Sequence, residues 1–284
     1  MPAHQQDEGE LRSLPDPAKP GPYRPFASDP KWDEAWWWLG LPILFALLAA
    51  VAFWSSRVWS KNWVNGEHGI VEVTHFILPL MGLVIGLRLL FSPFVRRRPL
   101  VLVVTILSVL ACLYVAGEEI SWGQHFFYWE TPEGWQELNR QDETNLHNVS
   151  NYFGEGPRTL MEYSIVIGGL LVPLTAAFAS NVRANRFSLF LPAAALMPTA
   201  IGAIAFSFVH RWSHGQHKKN EFDCVEFSET YIYFFMFAYL LIFARRLREL
   251  GGPPLISRSV WMTSYVAIAL LFLAFEIWIR WILR

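Results

Sequence analysis

Glutamates and histidines lie at helical spacings beside the apolar segments of this sequence. Four pairs are separated by three or four residues: Glu72 with His75, Glu143 with His147, His210 with His214, and Glu226 with Glu229. On a helix, such a spacing places both side chains on one face. Imidazole nitrogen and carboxylate oxygen are ligands that divalent metals use in proteins. The pairs therefore predict a metal site, although the segment from His210 to His214 lacks the glutamate of the zincin pattern.

The densest group of such residues follows an apolar segment, at 117–148. Two adjacent carboxylates, Glu118 and Glu119, are followed within about thirty residues by Gln124, His125, Glu143 and His147. We predict that Glu118 or Glu119 acts as the base that takes a proton from a metal-bound water. The predicted metal ligands are Glu72, His75, His147, His210 and His214. The further site candidates are Gln124, Glu143, Glu226 and Glu229.

The composition indicates a membrane protein. Apolar residues make up 53% of the 284-residue chain, with 14 Trp and 22 Phe, which is too apolar for an ordinary soluble domain. Seven segments have the length of a membrane-spanning helix: 35–56, 69–91, 99–117, 160–180, 187–209, 227–246 and 259–282. Tryptophans flank several of them, as expected at a membrane interface. We predict an all-α, polytopic bundle of about seven transmembrane helices.

The distribution of charge predicts the orientation of the bundle. Residues 1–30 are polar and rich in proline, and we predict that they form a disordered cytoplasmic tail. Residues 31–284 form the predicted transmembrane domain, with an outer-face loop at 118–158. Most arginines fall on the side that holds the N-terminus, so this side is predicted to be cytoplasmic. The net charge of −1 and the scattered basic residues give no reason to expect nucleic acid as a partner.

This topology brings the unusual polar residues to one membrane face. All histidines except His4 fall on the outer side, together with most of the acids. Six of the seven predicted helices deliver a carboxylate or an imidazole to that layer. Ionisable groups at membrane depth are costly, so they are functional candidates. The membrane itself, and a lipid that enters between the helices, are the predicted partners.

Three short strings carry a resemblance: GEEISWGQ at 117–124, TPE at 131–133 and ETNLHN at 143–148. They resemble an uncharacterised family of polytopic bacterial membrane proteins, from about Glu67 to Tyr239. The resemblance implies a multi-pass protein of the bacterial inner membrane and brings no activity with it. In architecture alone, the predicted bundle is also similar to the membrane hydrolases that include alkaline ceramidases, in which a zinc held by histidines activates water. The Ser and Asp motifs of those hydrolases have no clear counterpart in this sequence, which has a group of glutamates instead.

These observations favour a metal-dependent hydrolase or transferase that acts on a lipid or lipid-linked substrate at the outer face, with zinc as the first choice of metal. Three alternatives stay open. The same groups would also suit a transporter or a proton-coupled ion pathway. A carboxylate-bridged di-metal oxidoreductase would need a second Glu-x-x-His motif, which the sequence lacks. The last alternative is a non-catalytic assembly protein whose outer polar layer binds a partner.

Overall fold

The computed structural model of the chain describes residues 28–54, 69–127, 129–139, 142–146, 149–178, 188–215 and 224–255. All regular secondary structure in these ranges is helical. Helices longer than one turn are α1 (Gly40–Trp54), α2 (Ile70–Leu90), α3 (Pro99–Glu119), α4 (Asn151–Ile165), α5 (Val172–Phe178), α6 (Met197–Gly215) and α7 (Cys224–Glu249). A π-helical segment, Val166–Leu171, joins α4 to α5.

Short helices connect or precede the long ones. The α-helical turns are Ala35–Trp38, Pro93–Arg96, Gln124–Phe127 and Glu133–Gln136. The 3-10 turns are Trp32–Glu34, Ser121–Gly123, Ser188–Phe190 and Ala194–Leu196. Pro99 is the first residue of α3, where its missing N–H costs no helical hydrogen bond.

Five helical stretches of the described residues are long and apolar enough to cross a membrane: Trp32–Trp54, Ile70–Leu90, Pro99–Glu119, Ser188–Trp212 and Cys224–Glu249. They correspond to five of the seven predicted segments. The predicted segment 160–180 is helical up to Phe178, but the π-helical turn divides it, and it is not among the five. The predicted segment 259–282 and residues 1–27 of the predicted tail lie outside the described residues.

Helix α7 is the centre of the bundle. Of its most apolar window, 72% is buried, against 28% for Trp32–Trp54 and for Ser188–Trp212, so these two stretches are peripheral. Helix α7 packs against α2 on one side and α6 on the other. Its aromatic side chains, Phe227, Phe234 and Phe243 among them, fill the core. The exposed apolar side chains of the outer helices are then the surface that a bilayer would cover.

Two glycines allow the helices around α7 to approach closely. A Cβ atom on Gly202 of α6 would lie 2.2 Å from the ring of Tyr231, and one on Gly169 would lie 2.6 Å from the ring of Phe235. Such distances are too short for any side chain. Small residues at helix contacts are the usual way in which membrane helices pack tightly.

The bundle has two chemically different ends. At one, which we call the site end, the first turns of α2 and α7 meet the last turn of α3 through contacts of His75 with Glu119 and Glu226. At the other, the basic end, the last turns of α7 meet the residues before α1 through Arg246 and Asp29. The predicted convergence of acids and histidine at one end is therefore seen for α2, α3 and α7.

Candidate functional site

His75 is the central side chain of the site end. It lies in the second turn of α2, its exposed fraction is 0%, and α2, α3 and α7 surround it. The ring of Tyr233 meets the imidazole edge to face, with 5.1 Å between the ring centroids. Packing and hydrogen bonds on three helices therefore fix the orientation of this ring.

The partners of His75 define its tautomer. Its Nε2 atom lies 2.8 Å from Thr230 Oγ1 and 3.0 Å from the backbone oxygen of Glu226. The Thr230 hydroxyl donates its own proton to that same backbone oxygen, so both neighbours of Nε2 are acceptors. The network therefore assigns the ring proton to Nε2, which donates to them.

The other ring nitrogen faces carboxylates. Nδ1 lies 3.4 Å from Glu119 Oε2 and 3.5 Å from Glu226 Oε2, and it makes no hydrogen bond within the described part of the chain. A neutral His75 would direct its Nδ1 lone pair at two negative groups. A cation or a proton between these atoms would remove the conflict, because it is attracted to all three.

Two groups of three side chains could hold a metal ion. Glu72, His75 and Glu119 form one, and His75, Glu226 and Glu229 form the other; within each, one ligand atom per residue lies within 4.8 Å of the others. His75 belongs to both. Its Nε2–H is held by a backbone carbonyl and a hydroxyl, which is the arrangement that metal-binding histidines adopt. The five residues, which we call the His75 cluster, thus fit a divalent cation.

The two adjacent glutamates at the end of α3 have different positions. Glu119 joins the His75 cluster, and its Oε1 accepts a hydrogen bond of 2.7 Å from the Tyr233 hydroxyl. Glu118 accepts bonds from Trp122 Nε1 at 2.6 Å and from the backbone N–H of Leu146 at 2.7 Å. Glu118 therefore anchors the loop that follows α3 and is not a member of the cluster.

Gln124 and Glu143 also hold this loop. The Gln124 amide oxygen accepts from the backbone N–H of Thr144 at 2.7 Å, and its amide nitrogen donates to Thr131 Oγ1 at 2.8 Å. Glu143 accepts from Ser121 Oγ at 2.8 Å and from the side chain of Asn145. Both residues were predicted as site candidates, and neither belongs to the groups that could hold a metal.

The string GEEISWGQ contains both glutamates and the turn that follows α3. Ser121 and Trp122 have positive φ angles of 46° and 55°, which are unfavourable for residues other than glycine. The Trp122 indole is held by its bond to Glu118 and packs on Gly117, where a Cβ atom would lie 2.9 Å from the ring. Helix α3 ends at Glu119, two residues before Ser121.

A second polar group adjoins the His75 cluster through α4. Arg158 Nη1 lies 3.5 Å from Glu229 Oε1, and Arg158 Nε donates to Glu162 Oε1 at 3.3 Å. Arg211 of α6 pairs with the other oxygen of Glu162, and Ser207 donates to Glu162 Oε1 at 2.9 Å. A pair of arginines therefore lies beside the candidate metal site.

The remaining predicted ligands are placed differently or not at all. His210 lies on α6 and belongs to neither described group. His214 is in the last turn of the same helix, but its side chain lies outside the described residues, as does His147. Their participation stays a prediction.

Sequence reasoning missed three residues of this region: Thr230, Tyr233 and Arg158. The first two lie four and seven residues after Glu226, on the same face of α7. A stripe of Glu, Glu, Thr and Tyr at spacings of 0, 3, 4 and 7 on an apolar helix was a signal that could have found them. Arg158 lies directly before an apolar segment, where an interfacial arginine is common, so nothing marked it.

In chemical terms, the His75 cluster combines one oriented imidazole and four carboxylates at the end of a bundle, with the phenol of Tyr233 and two guanidinium groups next to it. These groups can bind a divalent cation and take up or release a proton. Comparison of the chain with protein-family models, with curated proteins and with solved structures gives no match, so its function has to be inferred from this site.

Proposed function

We propose that this protein is a metal-dependent membrane enzyme, a hydrolase or transferase that acts on a lipid or lipid-linked substrate at the outer face of the membrane. The observation that carries the proposal is the orientation of His75: Nε2 donates to two acceptors, while the buried Nδ1 faces the carboxylates of Glu119 and Glu226. A bound cation explains both halves of that arrangement.

The donor set supports a hard or borderline divalent cation. Carboxylate oxygen suits Mg²⁺ and Mn²⁺, and imidazole suits Zn²⁺ and Fe²⁺. One imidazole with several carboxylates is therefore compatible with manganese or iron(II) as well as with the zinc expected from the sequence. Any of these ions would lower the pKa of a bound water and so supply a hydroxide nucleophile.

The protein groups have separable functions in this proposal. Nδ1 of His75 and the carboxylates closest to it, Glu119 and Glu226, bind the ion. Glu72 and Glu229 complete the two groups of side chains, and one of them accepts the proton of the attacking water. The base predicted as Glu118 or Glu119 thus becomes a neighbouring glutamate, since Glu118 holds the loop and Glu119 faces Nδ1.

The position of the cluster supports work at a membrane surface. Glu72 is in the first turn of α2, Glu119 is the last residue of α3, and Glu226 is in the first turn of α7. Substrate headgroups lie at this depth, and acyl chains extend along the outer helices. The proposal keeps the seven spans, the cytoplasmic N-terminus and the bacterial inner membrane predicted from the sequence, together with the kinship to polytopic bacterial membrane proteins.

A proton-coupled ion pathway is the second candidate. It is supported by the distances of 3.4 Å and 3.5 Å from Nδ1 to two carboxylates, because a proton shared among these groups would also remove the conflict at Nδ1. Transporter sites usually lie near the middle of the membrane between broken helices. The position at the helix ends therefore favours the enzyme.

Metal content tests the proposal. The full-length protein is purified in detergent without chelators, incubated with Zn²⁺ or Mn²⁺, desalted and analysed for elements. We expect near-stoichiometric metal in the wild type and loss of metal in Glu119→Gln. Glu118→Gln is a matched control, because it changes the adjacent glutamate, which anchors the loop, and it is expected to retain the ion.

Activity is then measured as release of headgroup or fatty acid from vesicles of phosphatidylethanolamine and phosphatidylglycerol. A wild type that binds neither metal would overturn the enzyme proposal and favour the proton pathway. Equal loss of metal from Glu118→Gln and Glu119→Gln would also contradict it, because the cluster would then have no specific ligands.

A further inference from the structure

The arginine pair beside the His75 cluster points to the class of substrate. Arg158 lies on α4, and its Nη1 atom is 3.5 Å from Glu229 Oε1, so the guanidinium group borders the candidate metal site. Its Nε atom is used by Glu162. In the described part of the chain the remaining nitrogen, Nη2, contacts no protein acceptor, and the side chain keeps 20% of its surface exposed.

Arg211 adds a second positive charge on the same side. It reaches Glu162 from α6 through Nη2, and 64% of its side chain is exposed. Glu162 accepts from Arg158, Arg211 and Ser207, which holds the two guanidinium groups close to each other. The two arginines face two carboxylates, those of Glu162 and Glu229, so the group has no net charge, but both guanidinium groups keep donors that these carboxylates do not use. Guanidinium groups in that arrangement suit phosphate, whose oxygens accept two bonds at once.

The surface next to the arginines is apolar. Large apolar side chains within five residues of Arg158 on α4 or of Arg211 on α6 are exposed: Leu160, Tyr163, Phe208 and Trp212. The rings of the last two lie 6.2 Å apart and form one surface. A ligand that spans this region would place a charged group at the arginines and hydrocarbon along the two helices, which is the form of a lipid with a phosphate headgroup.

We infer that Arg158, together with Arg211, binds the phosphate of a phosphate-bearing lipid and directs that phosphate toward the His75 cluster. This inference rests on the proposed function for its meaning, since the phosphate ester is then the group that the enzyme attacks. The carboxylates of Glu229 and Glu162 repel an anion. A metal ion in the cluster offsets this repulsion, so metal and lipid phosphate bind cooperatively.

Binding by the full-length protein in detergent tests the inference. Short-chain phosphatidic acid, inorganic phosphate and diacylglycerol with the same chains are titrated by calorimetry, with and without Mn²⁺. We expect phosphatidic acid to bind more tightly than either of the other two. Arg158→Gln is expected to weaken it by about 10- to 100-fold, and Arg158→Lys by less, since lysine keeps the charge without the fork. Arg248→Gln, an exposed position at the basic end, is the control and leaves binding unchanged.

The outcomes separate this inference from the proposed function. Binding of Mn²⁺ together with equal affinity of wild type and Arg158→Gln for phosphatidic acid would overturn the inference alone. Loss of Mn²⁺ from Arg158→Gln would also overturn it, because the arginine would then only position Glu229. If the wild type binds no metal, and Arg158→Gln nevertheless binds phosphatidic acid more weakly than the wild type, the inference holds and the proposal of a metal-dependent enzyme does not. Inorganic phosphate that binds as tightly as phosphatidic acid would reject the lipid as the source of the phosphate.

Discussion

In the described part of the chain, each end of the bundle buries a basic side chain, and the two side chains differ in their hydrogen bonds. At the basic end, Arg246 is 2% exposed, and every nitrogen of its guanidinium has an acceptor. Nε and Nη2 donate to the two oxygens of Asp29 at 2.6 Å and 2.9 Å, and Nη1 donates to the backbone oxygen of Leu191 at 2.5 Å. At the site end, His75 is 0% exposed, and only one of its two nitrogens has a hydrogen bond within the described residues.

Under the proposed function, the difference is that between a structural interaction and a binding site. Buried polar groups are normally satisfied, because an unsatisfied group costs about 1–3 kcal/mol. Arg246 follows this rule and connects α7 to Asp29 and to the residues around Ser188. His75 departs from it at a place where, among the described residues, several carboxylates converge. An open position on an otherwise fixed ligand is what a binding site needs and a structural clamp does not.

The largest effect is expected when the buried ion pair of Arg246 with Asp29 at the basic end is broken. Arg246→Met keeps the length of the side chain but leaves Asp29 without its buried partner. We expect the free energy of unfolding to fall by about 3 kcal/mol, measured by denaturation in detergent. Arg248→Met, two residues away and exposed, serves as the control and should change stability little. A loss below about 1 kcal/mol in Arg246→Met would mean that the basic end does not depend on this residue.

A smaller effect is expected from a change at the partner of His75 Nε2, on the opposite side of the ring from Nδ1. Thr230→Val keeps the shape of the side chain but removes the acceptor that lies 2.8 Å from His75 Nε2. Loss of such a partner usually lowers metal affinity 10- to 100-fold, which we expect in titrations with Mn²⁺ or Zn²⁺. Thr105→Val is a matched control, because Thr105 is buried in α3 and bonds only its own helix, to Val101. Equal affinities in the two variants would show that the ring orientation of His75 does not matter for metal.

These predictions depend on features of unequal visibility in the sequence. The apolar segments predicted α1, α2, α3, α6 and α7, because a run of about twenty apolar residues has few other uses. The spacings of Glu72 with His75 and of Glu226 with Glu229 also predicted their shared faces. These four residues then came together because each pair lies in the first turns of its helix, and both helices begin at one end of the bundle.

Other parts of the site could not be deduced from spacing. Glu118 and Glu119 differ by about 100° in direction on a helix, and no pattern fixed the rotation of α3. The turn with positive φ at Ser121 and Trp122, together with the bond from Trp122 to Glu118, settles that rotation. Arg158 was missed because its contact with the site is to Glu229 of α7, which is far away in sequence.

A further effect on the free energy of unfolding, about 1 kcal/mol, is expected from removing one negative charge at the site end. Carboxylate oxygens of Glu72 and Glu119, and likewise those of Glu226 and Glu229, lie within 4.8 Å of each other, and like charges at that distance repel. In metal-free protein, Glu226→Gln should therefore raise the free energy of unfolding by about 1 kcal/mol. It should also abolish the stabilisation that Mn²⁺ gives the wild type. If Glu226→Gln instead lowers the free energy of unfolding of the metal-free protein, His75 forms a stabilising ion pair as Arg246 does, and the contrast between the two ends is wrong.

The smallest effect is expected at the edge of the basic end, where Arg245 donates to Glu34 at 2.6 Å. Both side chains are partly exposed, at 22% and 36%, so water screens their attraction. Glu34→Gln should lower the free energy of unfolding by only about 0.5 kcal/mol and by less in high salt, measured in the same denaturation series as Arg246→Met. The shortest distance to the carboxylate is 2.6 Å for both Arg245 and Arg246. A much larger loss of unfolding free energy in Arg246→Met than in Glu34→Gln would therefore show that burial, rather than ion-pair geometry, gives the basic end its stability. A loss from Glu34→Gln as large as that from Arg246→Met would remove this distinction.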